Sequence, residues 1–188
     1  MVCGMGELVD RVDERDEVVA VVERGEAMRN KWLFRMATIV CRDEDGRFLV
    51  HRRPEGVARF AGLLNWLLGG AVEAGEPYEE AAARELAEEL GVGGRPRFLF
   101  KFRCEGAISP YWLAVHELVV TGPVRPDPRE VAWWAWVTED ELAELVGHEA
   151  FIPDAREAFG RYRDRYGAGT VPPGRGAGGT VADLAVGR

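Results

Sequence analysis

Glu85, Glu88 and Glu89 stand at i, i+3 and i+4 in the run Arg84-Glu-Leu-Ala-Glu-Glu-Leu-Gly91. On a helix that spacing gathers three carboxylates on one side. Each like-charged pair costs about 0.2–0.5 kcal/mol on an isolated helix. A hard cation offsets that repulsion, because Mg²⁺ is bound through carboxylate and carbonyl oxygens. An acidic run taken alone reads first as a solvated helix face, and the flanking residues are what change that reading.

From Gly70 to Val92 the flanks read Gly-x5-Glu-x7-Arg-Glu-Leu-x-Glu-Glu-x-Gly-Val. This pattern resembles the Nudix box at all nine fixed positions: Gly70, Glu76, Arg84, Glu85, Leu86, Glu88, Glu89, Gly91 and Val92. At average residue usage the chance of such a match at a given start is on the order of one in a billion. The resemblance implies a loop–helix–loop in an α/β/α sandwich of the α+β class with a mixed sheet. It also implies a divalent cation, Mg²⁺ or Mn²⁺, held by Glu85, Glu88 and Glu89, with Gly70 lending its carbonyl. Glu76 and Arg84 match the positions that brace the box loop as an ion pair.

A second, weaker similarity lies outside the box. The run 8–19, Arg24-x-Glu26 and Gly46-x-Phe-Leu-Val-x-Arg52-Arg53 look like the branch related to isopentenyl-diphosphate isomerase. Isomerases of that branch protonate an alkene with a Cys immediately before the box glycine and a His after it. Here those positions hold Gly69 and Ala71. Without the thiol acid there is no proton donor, so the resemblance favours diphosphate hydrolysis. A Nudix fold used only for binding is the other alternative, and the intact box carboxylates argue against it.

Hydrolysis needs further groups. The family often supplies one more loop carboxylate as ligand or general base. Glu130, six residues before Trp136, is the expected one, ahead of Glu105 and Glu117. Arg52 or Arg53 is expected to fork onto a substrate phosphate, since guanidinium matches phosphate oxygens bidentately. Side chains alternate along a strand, so only one of the two should face the cleft. Lys101 and Arg103 are weaker candidates for the same role. Trp66 and Phe60 are expected to line a pocket, while Trp133, Trp134 and Trp136 read as core and rim packing. His51, His116 and His148 are scattered and read as structural.

The elements that must position these residues follow from local signals. Pro77 suits the first helical position and Gly91 the residue just past the end of a helix whose Ala82, Leu86 and Leu90 share an inward face. Strands are expected at 8–12 and 17–22 as an N-terminal hairpin within 6–24, and at 36–41 and 47–52 around the turn signal Asp45-Gly46. Further strands are expected at 63–68, ending at Gly69-Gly70, and at 97–103, 111–120 and 131–137. Short helices are expected at 24–31, 139–145 and 153–165. Residues 1–166 then read as one domain, and the Gly/Pro-rich segment 167–188 as a flexible tail.

Composition bounds the rest. The 188 residues carry 24 Lys+Arg against 32 Asp+Glu, a formal charge of −8. That balance argues against a nucleic-acid polymer as partner, which calls for a basic face, and leaves a small diphosphate-containing substrate. No apolar run is long enough to span a membrane. With no signal peptide visible and Cys3, Cys41 and Cys104 odd in number and widely spaced, reduced thiols in the cytoplasm are expected. N-terminal strand exchange would offer a route to a homodimer. The sequence thus points to a metal-dependent hydrolase of a phosphoanhydride bond in a nucleoside diphosphate linked to a moiety X.

Overall fold

The computed structural model describes residues 6–148 and 150–167. Cys3 and all but the first residue of the expected tail lie outside them. The chain runs β1 (Leu8–Val12), β2 (Val18–Glu23), α1 (Arg24–Arg29), β3 (Arg35–Arg42), β4 (Phe48–Arg52), β5 (Leu64–Asn65) and β6 (Leu67–Ala71). It continues through α2 (Tyr78–Leu90), β7 (Arg97–Cys104), β8 (Tyr111–Val119), β9 (Trp133–Val137), α3 (Glu139–Val146) and α4 (Pro153–Tyr166).

β1 and β2 pair as a separate antiparallel ribbon, and the other strands form a seven-stranded sheet in the order β5-β4-β3-β8-β7, with β6 beside β3 and β9 beside β4. β3 and β8 run parallel along Arg35↔Trp112 to Arg42↔Val119; the remaining pairs are antiparallel. The period-2 alternation of β3 separates two cores. Ala37, Ile39 and Cys41 face one side with Leu49 and Leu68, where Ala82, Leu86 and Leu90 of α2 cover them. Val40 faces the other side with Phe48, Val50 and Leu67, beneath Leu142 of α3 and Ala158, Phe159 and Tyr162 of α4. The result is an α+β sandwich, helix on sheet on helix.

α2 begins one residue later than expected, at Tyr78 rather than at Pro77. Pro77 is the extended residue just before the first turn, and its carbonyl accepts from Ala81 N at 3.0 Å. Gly91 closes the helix at φ 64°, a left-handed conformation that costs glycine little.

One expectation needs correction. The strand expected at 63–68 is broken at Trp66 and carries on through Gly69-Gly70. Residues 64–65 pair with β4, whereas residues 67–71 pair with β3. The chain changes neighbours at Trp66 because the indole is wholly buried and its Nε1 donates to the Ala155 carbonyl of α4 at 2.9 Å. Phe159 and Tyr162 meet it edge-on, with ring centroids at 5.4 and 5.3 Å. Trp66 is therefore a core anchor and not a pocket wall.

The hairpin docks on the loop before α2. Val9 bridges to Glu73, Ala74 N donates to the Leu8 carbonyl at 3.0 Å, and Gly75 N to Asp10 Oδ2 at 3.0 Å. Buried Asp16 gathers Arg35 Nε at 2.7 Å, the Tyr78 hydroxyl at 3.0 Å and the Lys101 ammonium. Beneath the ribbon, Val9, Ala27, Phe34 and Ala71 form a small third core.

Candidate active site

The box glutamates sit at one wall of a cleft of about 880 Å³. Glu89 is buried, 7% exposed, and its Oε1 accepts from Gly69 N at 3.2 Å. Burial, and next the Glu85 charge, push its carboxyl up to about 8, against the pull of the Gly69 amide. Burial also raises Glu85, although Arg84 Nη1 lies 2.7 Å away and opposes the shift. Glu88 is the exposed member, joined to Arg84 Nη1 at 3.5 Å.

Arg84 organises this wall. Its Nε and Nη2 grip the two oxygens of Glu76 at 3.0 and 2.9 Å, and Nη2 also reaches the Ala71 carbonyl at 3.1 Å. The fork holds Glu76 below its usual range and raises Arg84 itself. The box loop is thereby tied to both the end of β6 and the middle of α2.

The donor set is suited to a hard cation. Glu85, Glu88 and Glu89 offer carboxylate oxygens, and Gly70 has no side chain to intervene: a Cβ there would lie 2.5 Å from Glu85 Oε1. Among the described residues, however, no three Asp, Glu, His or Cys side chains already form a closed ligand cluster. Arg84 supplies the positive charge between Glu85 and Glu88.

The other sequence-derived candidates divide. Arg53 and Glu130 both line the cleft and approach each other, Arg53 Nη2 to Glu130 Oε2, at 3.4 Å. Arg52 is not part of the lining. It points the other way, its guanidinium 5.8 Å from the centre of the Trp133 ring. Lys101 is spent on Asp16, and Arg103 on Glu14 and Glu105. Glu117 pairs with Arg97 and Arg42. Phe60 lines the cleft in a left-handed conformation, φ 53°. Trp133 and Trp136 pack at the sheet, and Trp134 is 37% exposed.

His51 and His116 are buried, the first with Nε2 3.2 Å from the Leu67 carbonyl, the second with Nδ1 3.1 Å from that of Thr38. His148 is exposed. Cys41 and Cys104 are buried free thiols.

Several cleft residues were not singled out from sequence as site residues, among them the charged Arg24, Arg59, Asp127, Arg129 and Asp154. Arg24 enters from the first residue of α1, and Arg59 from the loop after β4. That loop is closed at its neck by Arg53 N to the Leu63 carbonyl at 3.0 Å and Gly62 N to the Arg53 carbonyl at 3.2 Å. Arg24 lies in the Arg-x-Glu fragment of the weaker resemblance; Arg59 had no signal in the sequence.

The NUDIX domain family matches residues 32–158, which take in the box helix and both walls of the cleft except Arg24 and Met28. The chain belongs to the Nudix family. This Nudix hydrolase is 42% identical over 165 residues to the uncharacterized Nudix hydrolase SCO1686 of Streptomyces coelicolor, covering 86% of this chain and 91% of the relative. It is 36% identical to the uncharacterized Nudix hydrolase YfcD of Escherichia coli, over 85% and 88% of the two chains. Among solved structures it resembles DR0079 of Deinococcus radiodurans, with a TM-score of 0.71 and 32% identity across 82% of this chain and 98% of that one. A MutT protein from Methanosarcina mazei Go1 superposes at 0.59 with 27% identity, over 72% and 96%. Nudix hydrolases generally use divalent metals, which is the chemistry this donor set is built from.

Proposed function

We propose that this Nudix hydrolase is a divalent-metal-dependent pyrophosphohydrolase that cleaves a phosphoanhydride bond in a nucleoside diphosphate linked to X, or in a related nucleotide. The observation that carries the reading is one cleft in which buried Glu89 and half-buried Glu85 lie against Gly69-Gly70, with Arg53 and Glu130 on the same lining. Glu85, Glu88, Glu89 and the Gly70 carbonyl would hold Mg²⁺ or Mn²⁺. When bound, the cation supplies phosphate charge neutralisation and lowers the pKa of a water. Arg53 orients the diphosphate, Glu130 or a box glutamate accepts the proton of the attacking water, and the Glu76–Arg84 pair keeps the loop and helix in register.

The similarity to the isopentenyl-diphosphate isomerase branch is part of this proposal, with hydrolysis as its activity. Gly69 occupies the position of the isomerase cysteine at φ 129°, and a Cβ there would lie 2.1 Å from the Ala37 carbonyl oxygen. This backbone leaves no room for a thiol side chain. We read residues 1–166 as one functional domain of a cytoplasmic enzyme with a small diphosphate-containing substrate and no nucleic-acid polymer or membrane partner. A homodimer through the hairpin is supported by Val18, Val19 and Val21, all more than half exposed on β2; light scattering on the purified chain measures it.

The test is phosphate or nucleotide release from nucleoside diphosphates, nucleotide sugars, dinucleotides and isopentenyl diphosphate. Each is run with Mg²⁺, with chelator, and with Glu88→Gln. Turnover should vanish with chelator and fall at least about a hundredfold in the variant, whose lost ligand charge is worth several kcal/mol of transition-state stabilisation, while its melting temperature holds. Full activity in Glu88→Gln, or isomerised product without phosphate release, would overturn the reading.

A further inference from the structure

The box loop is held from two sides. From within, Arg84 grips Glu76. From outside, the N-terminal hairpin reaches it with two buried aspartates, Asp10 at 3% exposed and Asp16 at 8%. Asp10 Oδ2 accepts from Gly75 N at 3.0 Å, one residue before Glu76. Asp16 Oδ2 accepts from the hydroxyl of Tyr78, the first residue of α2, at 3.0 Å. Both carboxylates meet at Arg35 of β3, Asp16 Oδ1 at 2.7 Å from Nε and Asp10 Oδ2 at 3.5 Å from Nη1. The Arg35 carbonyl in turn accepts from Val72 N at 3.0 Å, where the chain leaves β6 for the box loop.

The hairpin turn aims Asp16 inward. Asp13 Oδ1 accepts from Arg15 N and Glu17 N at 2.8 and 3.0 Å, and the Asp13 carbonyl from Asp16 N and Trp112 Nε1, both at 3.1 Å. Asp16 sits at φ 65°, a left-handed conformation that Asp adopts more readily than most residues. α2 has no side-chain cap at its N-terminus, so the bond from Tyr78 to Asp16 fastens its first turn instead. Burial, and next the Asp16 charge, push the Tyr78 hydroxyl up, which keeps it a donor. Buried carboxylates are costly unless hydrogen-bonded, and an apolar ribbon would dock at lower cost. What the carboxylates add is a fixed position.

We propose that Asp10 and Asp16 are positioning residues for the metal site, holding the box loop and the first turn of α2 in the shape in which the box glutamates bind a divalent cation. The inference rests on the metal-dependent reading above and extends it to residues that do not line the cleft. The path runs from Asp10 through Gly75 to Glu76, from Glu76 to Arg84, and from Arg84 to Glu85 and Glu88. Residues 8–23 lie outside the stretch matched by the NUDIX domain family, so this bracing reaches the box from beyond the matched domain.

The experiment is calorimetric titration of Mn²⁺ into the full chain, at a temperature where circular dichroism shows every variant folded. Affinity should fall about fivefold or more, the order of one lost hydrogen bond, in Asp10→Ala and in Tyr78→Phe. Asp10→Asn keeps an acceptor oxygen for the Gly75 amide and should recover most of the loss. Arg103→Gln removes another hairpin contact, the exposed pair with Glu14, and should bind as the parent does. In metal-free protein, exchange of the Gly75 amide should quicken about tenfold or more in Asp10→Ala while β3 amides hold. Parent-like affinity in both Asp10→Ala and Tyr78→Phe, an equal loss in Arg103→Gln, or no recovery in Asp10→Asn would overturn this inference alone. A parent chain that binds no Mn²⁺ would overturn the metal-dependent reading and this inference with it. Should Asp10→Ala misfold, Tyr78→Phe, which removes a single hydroxyl, decides.

Discussion

On the box wall of the cleft, Arg84 reaches Glu76, Glu85, Glu88 and the Ala71 carbonyl, all within 18 residues of chain. Elsewhere on the cleft lining, Arg24, Arg53 and Arg59 come from a helix behind the hairpin, the end of β4 and a closed loop, and their contacts with carboxylates are fewer. The first part is a local structure braced from within. The second exists only after the hairpin has docked and β4 has found its partners. The difference teaches that the carboxylate-rich and the arginine-bearing parts of one cleft respond to quite different perturbations.

The sharpest break of the box wall is Gly69→Ala. A Cβ 2.1 Å from the Ala37 carbonyl, at φ 129°, forces β6 away from β3. A loss of about 3 kcal/mol or more is expected, measured by urea unfolding; an unchanged midpoint would mean that this strand pair is pliable.

The strand pairing that links the two parts is tested by pH. His51 of β4 is wholly buried, and burial lowers its imidazole from 6.5 to about 4, with the Leu67 carbonyl opposing. The unfolded chain binds the proton more readily, so this contribution is complete above about pH 6.5 and is lost as pH falls towards 4. Between pH 7 and pH 5 it amounts to about 2 kcal/mol. Buried His116 is shifted in the same direction. His51→Gln should flatten the urea-stability profile over that interval, and an identical slope in the variant would remove His51 from the account.

Glu76→Gln loosens the box wall without steric conflict. It weakens two short charge-assisted bonds to Arg84, and a loss of about 1–2 kcal/mol in thermal or urea unfolding is expected. Pyrophosphate affinity should hold; a parallel fall would show that the two parts of the cleft are coupled. The smallest effect is expected at Arg52. Its guanidinium lies over Trp133 at 5.8 Å, outside the cleft lining, so Arg52→Gln should change stability by under about 1 kcal/mol and leave pyrophosphate binding unchanged. Arg53→Gln should weaken that binding, and the contrast within one dipeptide is read by calorimetry.

What could be read from the residues follows the same division. Glu76, Arg84, Glu85, Glu88 and Glu89 were legible because helix periodicity and a short loop convert sequence spacing directly into proximity. Pro77, Gly91 and Asp45-Gly46 marked their boundaries for equally local reasons. Arg59 was not legible, since its neighbours Arg24 and Met28 are far away in sequence and nothing short-range signals the meeting. Trp66 was misassigned for a related reason: one apolar run looks the same whether its aromatic faces a cleft or α4. The break at that residue depends on a hydrogen bond to Ala155, 89 positions onward. For Arg52 and Arg53, strand alternation said that one must turn away, and only the tertiary partners said which.

The closed neck of the loop carrying Arg59 has a consequence for engineering. Because Arg53 and Leu63 clasp each other through the main chain, the span between them resembles a socket whose rim is independent of what it holds. A segment of different length or chemistry grafted there would leave the box helix untouched. The lining that this loop contributes to the cleft can then be exchanged as a cartridge, with the box helix inherited unchanged.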